Sequence, residues 1–140
     1  MAEDTLAAVE RQLSALLPKP QSLPLLGAAA KPEQTIAELQ QQALALEGLL
    51  PDTPERAQQI LHLQHFGLCA EAVMAQAPME AREPLSRVIP ICRAEIQHAI
   101  HKEHARCADD VLSRRCRLAM VDAAEAERLS PLVNNELEQM

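Results

Sequence analysis

Glu95-Ile96-Gln97-His98-Ala99-Ile100-His101-Lys102-Glu103-His104-Ala105-Arg106, continuing as Cys107-Ala108-Asp109-Asp110-Val111-Leu112-Ser113-Arg114-Arg115-Cys116-Arg117-Leu118, is the stretch whose periodicity decides the fold. On a wheel of about 3.6 residues per turn, Ile96, Ala99, Ile100 and Glu103 share one face. Beyond Cys107 the same spacing gathers Ala108, Val111, Leu112, Arg115, Leu118 and Ala119. The stretch predicts two consecutive amphipathic helices, each with one ionisable residue inside its apolar stripe. Such residues are rarely interior unless paired. If the helices fold back as a hairpin near Cys107, Glu103 and Arg115 are offset by roughly 6 Å along the axis, within reach of a guanidinium side chain. A buried Glu103–Arg115 ion pair is expected, with Glu95 as the fallback carboxylate. Asp110 and Arg114, one helical turn apart, form a second expected pair.

Working outward, the other segments also read as helices with their own stop signals. Leu6, Val9, Leu13 and Leu16 give a first helix over 1–17, stopped by Pro18. Pro18, Pro20 and Pro24 make 18–31 an extended strap, expected to lie over the domain through Leu23, Leu25 and Leu26. Pro32 opens a helix with Ile36, Leu39, Ala43, Leu44 and Leu46 that ends at Gly48. Thr53-Pro54-Glu55 reads as an N-cap for a third helix with Ala57, Ile60, Leu61 and Leu63 inward, ended by Gly67. A short fourth helix over 68–77 buries Ala70, Val73 and Met74, and a proline-containing loop fills 78–90. After the central pair, Asp122 caps a short turn through Leu129, and Ser130-Pro131 caps a last helix with Leu132, Val133 and Leu137. The expected architecture is all-α, a single bundle of six to seven helices.

The totals agree. The chain has 140 residues, one domain's worth, and 48% of them are apolar, so it can bury a core. Phe66 is the one residue among Phe, Tyr and Trp, which makes that core aliphatic. A net charge of −7 disfavours nucleic acid, whose phosphates call for a basic surface. The four cysteines, at 69, 92, 107 and 116, form no C-x-x-C pair and read as reduced thiols. Acidic residues at 3 and 4 without an apolar run argue against a signal peptide, and no apolar run approaches the ~18 residues of a membrane span.

Ala94-Glu95-Ile96, Ala99-Ile100, Glu103, Ala105-Arg106, Asp110-Val111-Leu112, Arg114-Arg115, Arg117-Leu118 and Asp122 together resemble the C-terminal helical domain of FAD-dependent (aerobic) glycerol-3-phosphate dehydrogenase. Met1-Ala2-Glu3-Asp4, Leu23 through Ala28, Gly48-Leu49-Leu50-Pro51, Phe66-Gly67 and Pro131 with Val133 follow in the family's order. His98 departs from the pattern where an aromatic is common, and Cys107 where Thr is common. The resemblance implies a cap domain, 1–140, from a larger flavoenzyme that oxidises sn-glycerol 3-phosphate to dihydroxyacetone phosphate and passes electrons to a quinone or, in some relatives, to oxygen. FAD and substrate would be held by the flavin domain of the same parent chain, absent here. The cap would contribute packing and possible dimer contacts. The implied parent is cytoplasmic or peripheral on the inner face of the membrane, with membrane association only through the parent.

No catalytic constellation is evident in the residues themselves. The chain has no glycine-rich dinucleotide turn and no P-loop. His98, His101, His104 and Cys107 are ligand-type residues, but a three-residue step drifts by about 60° around a helix, so at most two consecutive members can share one ion. His62 and His65 have no carboxylate at a supportive spacing and read as surface histidines. Cys107 and Cys116 lack an identifiable base with an orienting partner. Arg114, Arg115 and Arg117 form a basic cluster that nearby acids can neutralise. Two rival readings stand beside the cap domain: a stand-alone helical adaptor that docks a partner helix, and a small metal-binding bundle built on His101 and His104.

Overall fold

The computed structural model describes residues 2–13 and 25–139. Seven α-helices and no strands occur among these residues: α1 (Ala2–Leu13), α2 (Thr35–Leu49), α3 (Arg56–Leu63), α4 (Ala70–Ala75), α5 (Arg93–His101), α6 (Leu118–Val121) and α7 (Ala123–Glu138). The fold is all-α, as the periodicities predict. The expected extension of α1 to residue 17 and the strap over 18–24 lie outside the described residues. Within the described part of the strap, residues 25–28 close a turn, Ala28 N–H donating to Leu25 O at 3.1 Å. Leu25 and Leu26 are 80% and 98% exposed, so neither covers the domain.

That turn is anchored through glycine. Leu68 N–H donates to Gly27 O at 2.8 Å, and Gly27 and Gly67 both adopt positive φ. A Cβ on Gly67 would stand 2.2 Å from Gly27 O, so the two backbones approach as only glycines allow. Gly67 breaks a run of 3-10 helix over Gln64–Cys69 that leads from α3 into α4.

Two apolar cores flank α5. Leu46, Leu50, Leu63, Ala70, Met74 and Ala94 are among the residues of the first, between α2, α3, α4 and the start of α5. Ile91, Ile96, Ile100, Val111, Leu112, Leu118, Leu129 and Val133 build the second, from the rest of α5 to α7. Burying each Leu, Ile, Val or Met side chain among them contributes about 1.5–3 kcal/mol. Because α5 feeds both cores, it is the spine of the molecule.

The structure corrects four of the expected helices. Glu95–Arg106 is not one helix: α5 stops at His101, and His104 takes a left-handed φ of 57° so that Ala105 N–H reaches Ala99 O at 2.8 Å. The segment after Cys107 is wound as a π-helix over Asp110–Arg115, with Cys116 N–H on Val111 O at 3.0 Å. Its wider turn puts Cys116 into the core at 7% exposure and swings Arg115 to the rim of that face. Ser130-Pro131 does not start a helix, since α7 runs through it without interruption. Leu129 and Val133, buried on either side, hold the helix together, and the Ser130 hydroxyl donates to Ala126 O at 3.1 Å. Asp122 caps the whole of α7, accepting from Glu125 N–H at 3.0 Å. Thr53 does not cap α3: its hydroxyl is buried with no hydrogen-bond partner among the described residues, and Arg56 N–H bonds the Thr53 carbonyl instead.

Candidate functional site

The polar residues that sequence and structure single out meet where α3 faces α5. Glu95 lies at the third position of α5, where a carboxylate can reach back to the helix start. One of its oxygens accepts Cys92 N–H at 2.9 Å. The other is 2.8 Å from His62 Nε2 on α3. Both side chains are largely shielded from solvent, with 4% of Glu95 and 12% of His62 exposed. Glu95 is thus not the alternative acceptor for Arg115, because one oxygen serves the helix start and the other faces His62. Nor is His62 the surface histidine that its neighbours in sequence suggest. Its carboxylate partner is far off in the chain, and the local pattern around His62 does not reveal it.

From His62 a row of rings runs outward along the seam. His62 and His65 have ring centroids 4.8 Å apart, His65 and Phe66 3.9 Å, and Phe66 meets the edge of His98 at 5.3 Å. His65 Nδ1–H donates to His62 O at 2.7 Å. Behind the row lies a cavity of about 100 Å³ whose lining includes His65, Glu95, Glu103, Arg115 and Cys116. Cys116 lines it, and Cys92, whose N–H bonds Glu95, is buried. Burial pushes Cys92 far up and raises Cys116, and the Glu95 carboxylate pushes both further in the same direction.

Glu103 and Arg115 do meet, in a setting unlike the expected one. Arg115 Nε donates to Glu103 Oε2 at 2.7 Å, with 27% and 37% of the two side chains exposed, so the contact lies at the rim and not inside. Glu103 sits in the turn after α5, not on its apolar stripe. The same guanidinium donates to Glu103 O at 2.7 Å and to Asp110 O at 2.9 Å, tying that turn to the π-helix. His98 Nε2 approaches Glu103 from the other side at 3.9 Å. Asp110 pairs with Arg114 at 2.5 Å and also accepts Arg106 N–H at 2.8 Å and Cys107 N–H at 3.3 Å. Those backbone donors and Arg114 hold its carboxyl below the usual range. His101, His104 and Cys107 are all exposed, with His101 at the end of α5 and His104 in the turn. Arg117 stands exposed at a left-handed φ of 60° before α6.

Nothing in the sequence singles out Arg82. Its guanidinium donates to Leu49 O at 2.8 Å and to Ala77 O at 2.9 Å, closing the ends of α2 and α4. Its own carbonyl accepts Gln59 Nε2 at 2.8 Å. On the other side, Arg128 grips Glu125 through two bonds of 2.7 and 2.8 Å and donates to Leu85 O at 2.7 Å. Arg128 and Ser86 drive Glu125 down to about 2.

The described residues offer no fit for a flavin dinucleotide. Such a cofactor needs a glycine-rich turn on which its pyrophosphate rests. Here Gly27 and Gly67 face each other, and Gly48 lies within α2. What the fold and site define is a helical domain whose charged side chains hold its own backbone. A family model for the C-terminal domain of alpha-glycerophosphate oxidase matches residues 19–140, and the chain belongs to that family. It is 33% identical over 124 residues to glycerol-3-phosphate dehydrogenase 1 of Mycobacterium bovis, across 86% of this chain and 21% of that protein. The same protein from two Mycobacterium tuberculosis strains matches at 33% identity over the same coverage. The chain therefore spans about a fifth of the length of these relatives. No solved structure matches.

Proposed function

We propose that this chain is the C-terminal helical domain of an FAD-dependent glycerol-3-phosphate dehydrogenase and takes no part in the chemistry itself. The parent oxidises sn-glycerol 3-phosphate to dihydroxyacetone phosphate and delivers the electrons to a quinone. FAD belongs to the flavin domain of the same parent chain, and this domain packs against it. The observation that carries the reading is the family match across residues 19–140. The geometry supports the non-catalytic part, since Arg82, Asp110, Arg115 and Arg128 all bind backbone groups of this chain. Apolar side chains remain in water at Ile36, Leu44, Leu61, Met120 and Val121, surface that a larger parent can cover. No described helix is long and apolar enough to cross a membrane. The parent works in the cytoplasm or at the inner membrane face, any membrane contact being the parent's. The test is to mix the purified chain with glycerol 3-phosphate and a redox dye. No dye reduction and no flavin absorbance are expected. Dye bleaching that depends on glycerol 3-phosphate, or a yellow chain, overturns the non-catalytic assignment.

A further inference from the structure

The geometry points to a divalent transition-metal site formed by His62, His65 and Glu95, on the seam between α3 and α5. One ring nitrogen from each histidine and a carboxylate oxygen of Glu95 lie within 4.8 Å of one another. Two imidazoles and one carboxylate suit zinc and its first-row neighbours, not magnesium or calcium, which take oxygen donors.

Three features of the seam favour an ion. The first is Glu95, a carboxylate withdrawn from water. Its second oxygen is fixed by Cys92 N–H, so its first oxygen is aimed at His62 and held there. The second is the tautomer of His65. A carbonyl only accepts, so the bond to His62 O places the proton on Nδ1 and leaves the lone pair on Nε2. A backbone acceptor on the far nitrogen is the arrangement that orients metal-binding histidines. The third is space: the cavity of about 100 Å³ is lined by both His65 and Glu95, so positions not filled by protein open onto it.

The distances suit closure around an ion. Donors about 2.0–2.1 Å from a tetrahedral zinc stand about 3.3 Å apart. His62 Nε2 and Glu95 Oε1, at 2.8 Å, need to part by only a fraction of an ångström. His65 supplies the third donor from within 4.8 Å of the other two. The cation takes the place of the proton that His62 Nε2 shares with Glu95, and in the neutral ring that proton moves to Nδ1. The donors that lie together are those of His62, His65 and Glu95, and no cysteine is among them.

The site is tested by titrating the metal-free chain with zinc against a chromophoric chelator, and with cobalt(II) followed by visible absorption. One equivalent is expected to bind, with cobalt ligand-field bands and no thiolate charge-transfer band. Zinc is also expected to raise Tm. His65→Ala removes an exposed ligand without touching either core, and is expected to weaken binding by roughly 10–100-fold or more. His101→Ala and Cys107→Ser are expected to leave it unchanged. Glu95→Gln also loosens the start of α5, so His65→Ala is the deciding variant. Equal affinity in the unsubstituted chain and His65→Ala, a thiolate band, or no saturable binding overturns the site. None of these outcomes bears on the dye-reduction test, so the two readings fail separately.

Discussion

The two halves of the molecule are tied together in different ways. From α5 to α7, the polar ties are mostly between near neighbours in sequence: Asp110 with the amides of Arg106 and Cys107, Arg114 with Asp110, Arg115 with Glu103, Asp122 with Glu125 and Arg128 with Glu125. Between α2 and α4 there are near ties too, Arg82 to Ala77 O and His65 to His62 O, but Arg82 also reaches Leu49 O and Gln59 reaches Arg82 O, far along the chain. Local ties can be foreseen by counting residues around a helix. Remote ones exist only once the cores have closed. The remote ties are also better shielded, so their removal should cost more, and that difference can be measured.

Arg82→Ala should have the largest effect. It leaves the carbonyls of Leu49 and Ala77 without the donor that closes two helix ends. Hydrogen bonds from a charged group contribute about 1.5–3 kcal/mol, and the loss here should be roughly 3 kcal/mol by urea denaturation. A loss under ~1 kcal/mol would mean that water replaces the guanidinium and that the remote ties are no stronger than the local ones.

Gly67→Ala comes next. The new Cβ would meet Gly27 O at 2.2 Å, and the residue already sits at φ 54°. Strain of this kind costs about 1–3 kcal/mol, and some is relieved as the exposed 25–28 turn lifts away. The expected signature is a drop of roughly 2 kcal/mol together with faster amide exchange at Leu68, whose N–H is held by Gly27 O. Unchanged exchange at Leu68 would show that the turn does not depend on the glycine pair.

Arg115→Ala tests the best of the local ties. Three bonds to Glu103 and Asp110 are lost, but the pair is open to solvent and therefore screened. The expected cost is about 1–1.5 kcal/mol, less than for Arg82. Lys at this position cannot reproduce the forked geometry and should recover only part of it. A cost above that of Arg82→Ala would reverse the comparison between the halves.

The same contrast explains what is legible in the sequence. The helical character of the chain, the cap at Asp122 and the meeting of Glu103 with Arg115 follow from spacing, because each depends on residues within a few turns. The setting of Glu103 and Arg115 does not follow. A helix wheel assumes about 3.6 residues per turn, and the break at His104 and the π-turn over Asp110–Arg115 change the phase between them. Pro131 misleads because a proline signals a stop locally, while burial of Leu129 and Val133 carries the helix through. The His62–Glu95 contact is hidden for a third reason. Cys92 is not a usual helix cap, so the carboxylate at the start of α5 gives no sign of what it holds, and nothing near His62 points to it.

The smallest effect concerns acid. Glu125 accepts both bonds from Arg128 and is held near 2, below its ordinary value of 4.5. A carboxyl lowered on folding stabilises the native state fully above its unfolded value, and that contribution disappears as pH falls through the folded one. Its share is therefore complete above about pH 4.5 and fades towards pH 2. Asp110, lowered by its backbone donors, acts in the same direction and in the same half of the molecule. Arg128 is 56% exposed, so screening keeps the Glu125 effect small. Glu125→Gln should lower stability slightly at neutral pH, and the gap from the unsubstituted chain should close as the solution is acidified. Amide exchange should show α7 loosening along that acid limb before α2 does. A gap that stays constant from neutral pH down to the acid limit would mean that the Arg128 clasp adds nothing to folding, leaving Asp122 alone to hold the start of α7.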